Sequence, residues 1–179
     1  MGFSKRTHTC GELVLTDSGK MVTLNGWVSK KRDLGGILFI DLRDRYGLTQ
    51  LKISPDKTEL YNIASGLGNE FVITAAGRVI NRESVNKNIP TGDIEIDVDR
   101  IEILNEALVT PFVVEEVVKA SEELRLQYRY LDLRRKKVMD NILLRNTVYQ
   151  IVHEYFAAHR FVEVETPVLM KSTPEGARD

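Results

Sequence analysis

The chain has 179 residues, of which 42% are apolar, and its formal net charge is −1. This length allows one full domain and part of a second, and the apolar fraction is well above that of disordered chains. The near-neutral charge excludes a general nucleic-acid adhesive, so a nucleic-acid site would have to be a local patch.

The first ten residues are polar and contain His8 and the single cysteine of the chain, Cys10. One cysteine cannot form an internal disulfide and suits a reducing compartment. The segment has no apolar stretch typical of a signal peptide, and no run in the chain approaches the roughly 18 apolar residues of a membrane span. We therefore expect a cytoplasmic protein that does not contact membranes. His8 and Cys10 have no partner pair elsewhere, so we predict no metal site.

Alternating apolar and polar residues predict five β-strands in the first 110 residues. A short helix, with Ser54 as its cap and Pro55 in its first turn, is predicted through Gly66. A hairpin turn over Asp44–Gly47 joins the second and third strands. The predicted strands cover residues 22–29, 38–43, 48–53, 71–80 and 94–103.

The apolar phase of the fifth strand changes between Val98 and Ile101. A shift by one residue is typical of a β-bulge, which lets a sheet curl into a barrel. Three strands, a short helix and two more strands are the order of an OB-fold, a five-stranded Greek-key barrel that binds oligonucleotides. We therefore predict a mainly β chain whose first domain, residues 1–110, is an OB-fold.

Residues 105–111 interrupt this pattern, and we interpret residues 111–135 as a hinge or linker. Ser121, followed by two glutamates, predicts the start of a short helix that runs through Tyr128. One apolar face predicts a longer helix over residues 136–159, and alternation predicts a strand over 161–166. The segment 136–179 would begin a second, α+β domain.

Phe39 is the most informative residue of the predicted barrel. It alternates with Leu38 and Ile40 and shares its strand face with Asp41 and Arg43. An aromatic ring on the polar face of an OB-fold strand can stack on an unpaired base. The alternative is a phenylalanine covered by a loop or a neighbouring domain.

Other polar residues surround this face in the sequence. Lys30, Lys31 and Arg32 precede the strand of Phe39, where they could contact phosphate or bases or form a solvated surface. Gln50 lies in the opposite phase to Thr49, Leu51 and Ile53 of its strand and could face a base edge. The loop between the fourth and fifth strands carries asparagines that suit either base reading or turn formation. The remaining polar residues of interest are Arg82, Asn86, Asn88 and Glu95.

Longer motifs resemble bacterial-type aspartyl-tRNA synthetases across the whole chain. They are Gly26-Trp27-Val28, Arg32-Asp33-Leu34-Gly35, residues 39–45 (FIDLRDR), residues 129–135 (RYLDLRR), Glu165-Thr166-Pro167 and residues 171–179 (KSTPEGARD). The OB part alone would also fit the asparaginyl and lysyl relatives. The ending from Thr173 to Asp179 is more specific to the aspartyl enzymes.

The resemblance implies a function and several roles. The family attaches L-aspartate to tRNA(Asp) through an aspartyl-adenylate, with ATP and Mg²⁺, and its OB domain binds the anticodon. The resemblance places Glu175 in the aspartate site and Pro167 at a homodimer interface formed by class II motif 1. Because the ATP-binding motifs would follow Asp179, we expect an N-terminal fragment that is inactive alone and binds no cofactor. The residues placed at the anticodon are Arg32, Phe39, Gln50, Arg82, Asn86, Asn88 and Glu95.

Two other classes of function remain open at this stage. The chain could be a free-standing RNA-binding module, which would have no need for the motif around Pro167 or for the ending after Thr173. It could also be a structural dimerisation module, in which Phe39 and the basic run are ordinary surface. Binding of an anticodon stem-loop RNA would separate this last class from the others.

Overall fold

The structure is a computed structural model that describes residues 5–169. The chain divides into two compact units, Met1–Arg134 and Arg135–Asp179. The first unit contains a barrel and the segment that follows it. The second contains one long helix.

The first unit is built on a closed five-stranded barrel with the strand order β1-β2-β3-β5-β4. The pairing of β3 with β5 is parallel, and the other four pairings are antiparallel. This arrangement confirms the predicted OB-fold. The elements are β1 Met21–Leu34, β2 Ile37–Arg43, β3 Leu48–Ile53, α1 Thr58–Gly66, β4 Val72–Asn81 and β5 Ile94–Asn105, preceded by a short 3-10 turn at Leu15–Asp17.

The interior of the barrel follows the two-residue period of its strands. In β2, Leu38, Ile40 and Leu42 are buried, whereas Phe39 and Asp41 are only half-buried on the other face. Burial of aliphatic side chains contributes about 1.5–3 kcal/mol each relative to exposure. The strand is therefore fixed in one register, and its polar face is turned away from the core.

The predicted bulge lies in β5. Ala76 of β4 pairs with Arg100, but Gly77 pairs with Val98, so Asp99 is the additional residue. A side chain at Gly77 would collide with this bulge, because a Cβ there would lie 2.2 Å from the carbonyl oxygen of Asp97. The close approach explains why a glycine occupies this strand position.

The first helix begins later than predicted. Ser54 does not cap it: the amide of Lys57 donates to the Ser54 carbonyl at 3.2 Å in a preceding turn, and α1 begins at Thr58. The Lys57 ammonium instead binds the bulge of β5, at 3.0 Å from Asp97 and 2.8 Å from Asp99. The residue that precedes α1 is thus bound to a strand about 40 residues later, a contact that local capping rules cannot predict.

Two short helices follow the barrel in the same unit, α2 Glu122–Gln127 and α3 Arg129–Asp132. The Ser121 hydroxyl accepts a hydrogen bond from the amide of Leu124, which confirms the predicted cap. A small apolar cluster of Phe112, Val114 and Leu131 forms a second core.

The second unit consists of α4 Lys136–Ala158, which confirms the predicted long helix. The predicted strand over residues 161–166 is wrong, because residues 161–167 have no strand conformation. Alternation predicts the side-chain period of a strand, but a strand also needs a hydrogen-bonding neighbour. Within the described residues no strand pairs with this segment.

Replacing Gly77 with alanine should destabilise the barrel, because the new methyl group would overlap backbone atoms of β5. We expect the free energy of unfolding to fall by about 1–3 kcal/mol. The matched control is Gly66→Ala at the end of α1, where nothing lies within 4 Å of a Cβ. It should leave the stability unchanged or raise it by up to about 1 kcal/mol. Urea unfolding followed by circular dichroism measures both, and equal stability of the two variants would contradict the prediction.

Candidate nucleic-acid interface

A groove with a volume of about 320 Å³ lies on the outer face of the barrel, beside the loop between β4 and β5. Strands β1, β2, β3 and β5 contribute to it. It combines apolar side chains with amide, guanidinium, ammonium and carboxylate groups. Its lining residues are Arg32, Leu34, Ile37, Phe39, Gln50, Lys52, Arg82, Glu83, Ser84 and Glu95.

Phe39 lies in the middle of this face. By strand register it is flanked by Arg32 of β1 on one side and Lys52 of β3 on the other. Its ring is half-buried, so one part packs against the protein and another part remains accessible. Together with Leu34 and Ile37 it forms the apolar part of the groove.

Arg32 is held by a carboxylate on the neighbouring strand. Its Nη2 donates to Oδ1 of Asp41 at 2.6 Å, and the two side chains are 35% and 15% exposed. Burial raises the pKa of Asp41 above its usual range, although the positive charges of Arg32, Arg82 and Lys30 act in the opposite direction. The ion pair thus holds the guanidinium in one orientation at the rim of the groove.

A second polar pair lies across the groove, between β3 and β5. Gln50 Nε2 donates to Glu95 Oε2 at 2.9 Å, and both residues are buried. The Lys52 ammonium lies 3.5 Å from the other oxygen of Glu95 and 3.7 Å from Glu83. Both oxygens of Glu95 are therefore engaged, while the carbonyl oxygen and the second N–H of the Gln50 amide remain available for a ligand.

The charges of the groove nearly balance. Arg32, Lys52 and Arg82 are opposed by Glu83 and Glu95 in the lining and by Asp41 beside it. A site built for phosphate would carry a clear excess of cations. An aromatic ring surrounded by paired donors and acceptors is instead suited to a flat, neutral ring with polar edges.

The groove brings together five of the seven residues predicted from the sequence to read bases: Arg32, Phe39, Gln50, Arg82 and Glu95. Asn86 and Asn88 do not line it. Asn86 Oδ1 accepts from the amide of Asn88 at 3.1 Å, and the Asn86 amide donates to Gly92 at 2.9 Å. This is the turn chemistry that the sequence left as an alternative for the loop.

The basic run before β2 divides into residues with different roles. Lys31 does not face the groove: its ammonium donates to the carbonyls of Ser65 and of Leu67, the latter at 2.8 Å, and so caps the C-terminal end of α1. These two carbonyls therefore compete with the phosphate contact predicted for Lys31. Lys30 is exposed.

Sequence reasoning missed Lys52 as a groove residue. Its signal was present, because Lys52 follows Gln50 by two residues and so shares its strand face. The sequence also predicted roles for Pro167 and Glu175. Pro167 lies in the exposed segment after α4, and Glu175 lies outside the described residues.

Metal binding and membrane-spanning helices have no candidate within residues 5–169, the described part of the chain. No group of three or more His, Cys, Asp or Glu side chains could hold a metal ion there. No described helix is long and apolar enough to cross a membrane.

Comparison with known proteins identifies both parts of the chain. Residues 22–104 match the OB-fold nucleic acid binding domain, and residues 121–179 match the class II tRNA synthetases of the D, K and N group. Both parts of the chain are therefore similar to domains found in this group of class II tRNA synthetases. Relatives that are similar over nearly the whole chain are named aspartate–tRNA ligases, which confirms the resemblance seen in the sequence.

The aspartate–tRNA ligase of Mesoplasma florum is 53% identical over 175 residues, which are 98% of this chain and 30% of that protein. The aspartate–tRNA(Asp/Asn) ligase of Salinibacter ruber is 54% identical over 181 residues, which are 97% of this chain and 29% of that protein. The crystal structure of asparaginyl-tRNA synthetase from Pyrococcus horikoshii superposes with a TM-score of 0.76 at 26% identity, over 91% of this chain and 38% of that one. The chain thus spans about 30% of the length of the curated relatives it matches.

The Asp41 carboxyl should titrate at a higher pH than an ordinary aspartate, because burial disfavours its charged form. Replacing Arg32 with methionine removes the foremost opposing charge and should raise this pKa further. Because the pKa of Asp41 is higher in the folded state than in the unfolded state, its ionised carboxylate lowers the stability of the fold at pH values above the folded-state pKa. This cost in stability is lost as the pH falls below that pKa. Carbon-13 NMR titration measures it, with Lys87→Met as the control. An Asp41 midpoint below the ordinary value would refute the assignment.

Proposed function

We propose that this chain reads the anticodon of tRNA(Asp) as part of an aspartate–tRNA ligase. The observation that carries the proposal is the groove, in which Phe39 lies between the Arg32–Asp41 pair and the Gln50–Glu95 pair. The match to the OB-fold nucleic acid binding domain supports RNA as the ligand, and the relatives' names support aspartate as the amino acid.

The groove suits an unpaired base better than a paired one. Bases of an anticodon loop can be turned out of their stack, and an exposed base can then stack on an aromatic ring. Phe39 offers such a ring, and a stack of this kind contributes about 1–3 kcal/mol. The duplex stem cannot enter a groove of about 320 Å³, so the loop is the part of the RNA that fits.

Base selection would come from two side-chain pairs, Arg32–Asp41 and Gln50–Glu95. Arg32 has guanidinium donors beyond the one engaged by Asp41, and Gln50 offers both a donor and an acceptor. Each is held by a carboxylate, and Gln50 and Glu95 are both buried, so a base whose edge does not match Gln50 leaves a buried amide without a partner. That mismatch costs about 1–3 kcal/mol.

The remaining steps of aminoacylation belong to the whole synthetase. There, ATP would activate L-aspartate in the presence of Mg²⁺, and we propose that Glu175 contributes to binding the aspartate ammonium group, for which a carboxylate is the natural partner. The RNA-reading step proposed for this chain runs through the protein's own side chains alone. The single cysteine suits a reducing compartment such as the cytoplasm.

A second specificity is favoured by one comparison. The Salinibacter ruber relative is named for both tRNA(Asp) and tRNA(Asn). By the genetic code the two anticodons differ in a single base, so one groove could accept both RNAs if it does not discriminate at that position. Parallel titrations with the two stem-loops distinguish the possibilities.

Phe39→Ala should weaken binding of an aspartate anticodon stem-loop by about 1–3 kcal/mol, because one base stack is lost. The matched control is Phe161→Ala, which removes an equally large ring outside the groove and should leave the affinity unchanged. Isothermal titration calorimetry measures both variants. Equal affinity of wild type and Phe39→Ala, with the fold intact by circular dichroism, would contradict base stacking.

Gln50→Ala should change the ranking of stem-loops that differ in one anticodon base, since the amide reads a base edge. Lys30→Met, in contrast, should weaken all stem-loops alike and lower the slope of log affinity against log salt by about one. Filter binding at several salt concentrations separates the two effects. An unchanged ranking for Gln50→Ala would remove this residue from the base-reading set.

We further propose that α4 and the segment through Pro167 form a homodimer interface, as the family resemblance implies. No described residue of α4 is buried, and its predicted apolar face remains open, with Leu144 65% and Ile151 58% exposed. A two-fold contact would cover the same face on both subunits.

Ile151→Glu should shift the chain towards the monomer, because it places a charge on the proposed contact. Gln150→Glu adds the same charge at the neighbouring position, away from the predicted apolar face, and should leave association unchanged. Sedimentation equilibrium measures the dimer fraction. A wild-type chain that stays monomeric at the highest attainable concentration would show that this helix does not dimerise by itself.

A further inference from the structure

A buried ion cluster joins the barrel to the segment that follows it. Glu70, which is 5% exposed, lies between α1 and β4. Arg43 Nη2 donates to both of its oxygens, at 2.7 and 2.9 Å. Arg134 Nη1, from the end of the following segment, donates to one of them at 2.6 Å. One carboxylate thus binds Arg43 of β2 and Arg134, which lies 64 residues after Glu70 in the sequence.

Trp27 completes this cluster, which we call the Glu70 joint. The guanidinium carbon of Arg134 lies 4.5 Å from the centre of the indole ring, and that of Arg43 lies 6.0 Å away. Trp27 and Arg43 are also paired in the register of β1 and β2. Cation–π contacts of this kind add to an ion pair when both groups are shielded from water. The joint therefore includes the only tryptophan of the sequence.

The backbone holds Glu70 in an unusual conformation. Its φ is 65°, in the left-handed region that non-glycine residues rarely adopt. Its amide donates to the Val28 carbonyl at 2.7 Å, so β1 stabilises this conformation. Strained residues of this kind persist where the surrounding structure determines them, and they often mark a functional position.

Further contacts attach the same segment to the barrel. Arg43 Nη1 donates to the carbonyl of Val114 at 3.3 Å. Phe112, Val114 and Leu131 form an apolar cluster within this segment. Both ends of the segment from 112 to 134 are therefore tied to Arg43, directly at Val114 and through Glu70 at Arg134.

We propose that Glu70 is a positioning residue that locks residues 112–134 onto the barrel as one rigid body. Any pivot between the RNA-reading unit and the following unit then lies after Arg134, where the first compact unit ends. It does not lie across residues 111–135, the range that the sequence alone suggests for a hinge. The same strand, β2, carries Phe39 to the groove and Arg43 to the joint, so the segment is fixed directly to the element that reads RNA.

This proposal goes beyond the function proposed above and does not depend on it, because it concerns the protein without RNA. A buried carboxylate with two arginine partners is sensitive to loss of its charge, since both partly buried guanidinium groups then lose their anionic partner. Glu70→Gln keeps the shape and removes the charge. Glu106→Gln, at an exposed position after β5, makes the same chemical change away from the joint.

Hydrogen–deuterium exchange of the full chain tests the lock. The amides of Tyr128, Leu131 and Arg134 are hydrogen-bonded within the segment, so their exchange reports its opening. In Glu70→Gln we expect their protection to fall by about tenfold or more, whereas amides of β1 and β4 keep theirs. Quenching of Trp27 fluorescence by acrylamide should increase in the same variant, because the indole ring becomes more accessible when Arg134 moves away from it. Glu106→Gln should match the wild type in both measurements.

A second variant keeps the test decisive if Glu70→Gln also destabilises the barrel. Arg134→Met removes only the partner that lies on the segment, and it should lower the protection of residues 128–134 while the barrel stays protected. Unchanged protection of these amides in Arg134→Met would overturn the proposal. So would wild-type protection in Glu70→Gln. Stem-loop affinity is measured separately, so failure of the lock and failure of RNA reading remain distinguishable.

Discussion

Closure of the barrel through the parallel pairing of β3 with β5 is the constraint on which the site depends. The pairing is short, with Leu51 opposite Ile96 and Lys52 opposite Asp97. It places Gln50 beside Glu95, 45 residues away in the sequence, so that their side chains form a buried hydrogen bond. Without closure, the groove around Phe39 would lose its fourth strand, and Gln50 would lose the carboxylate that orients it.

The two buried glutamates of the barrel show how similar chemistry can serve different ends. Both oxygens of Glu70 are bound by Arg43, and one of them also by Arg134. Glu95 is also buried, but it lines an open groove and orients groups that still have free hydrogen-bonding capacity. A saturated buried ion cluster fixes structure, whereas a partly satisfied one is poised to bind.

Much of this arrangement follows from the two-residue period of strands. That period placed Phe39 on the outer face of β2 and located the bulge in β5, and the barrel confirms both. Contacts between distant elements could not be foreseen in this way. Lys31 was grouped with its basic neighbours, yet it caps the C-terminal end of α1. Lys57 directly precedes α1, and its ammonium group binds the distant bulge of β5. The period of residues 161–166 was that of a strand, but strand formation also requires a neighbour that the pattern does not supply.

Binding of the anticodon loop in the groove around Phe39 can be tested directly by NMR. The nitrogen-15-labelled chain would be titrated with an aspartate anticodon stem-loop. We expect the largest chemical-shift changes on the Gln50 side-chain amide and on the backbone amides of Phe39, Lys52 and Arg82. Changes centred on another face of the chain, with these four groups unmoved at saturating RNA, would contradict it.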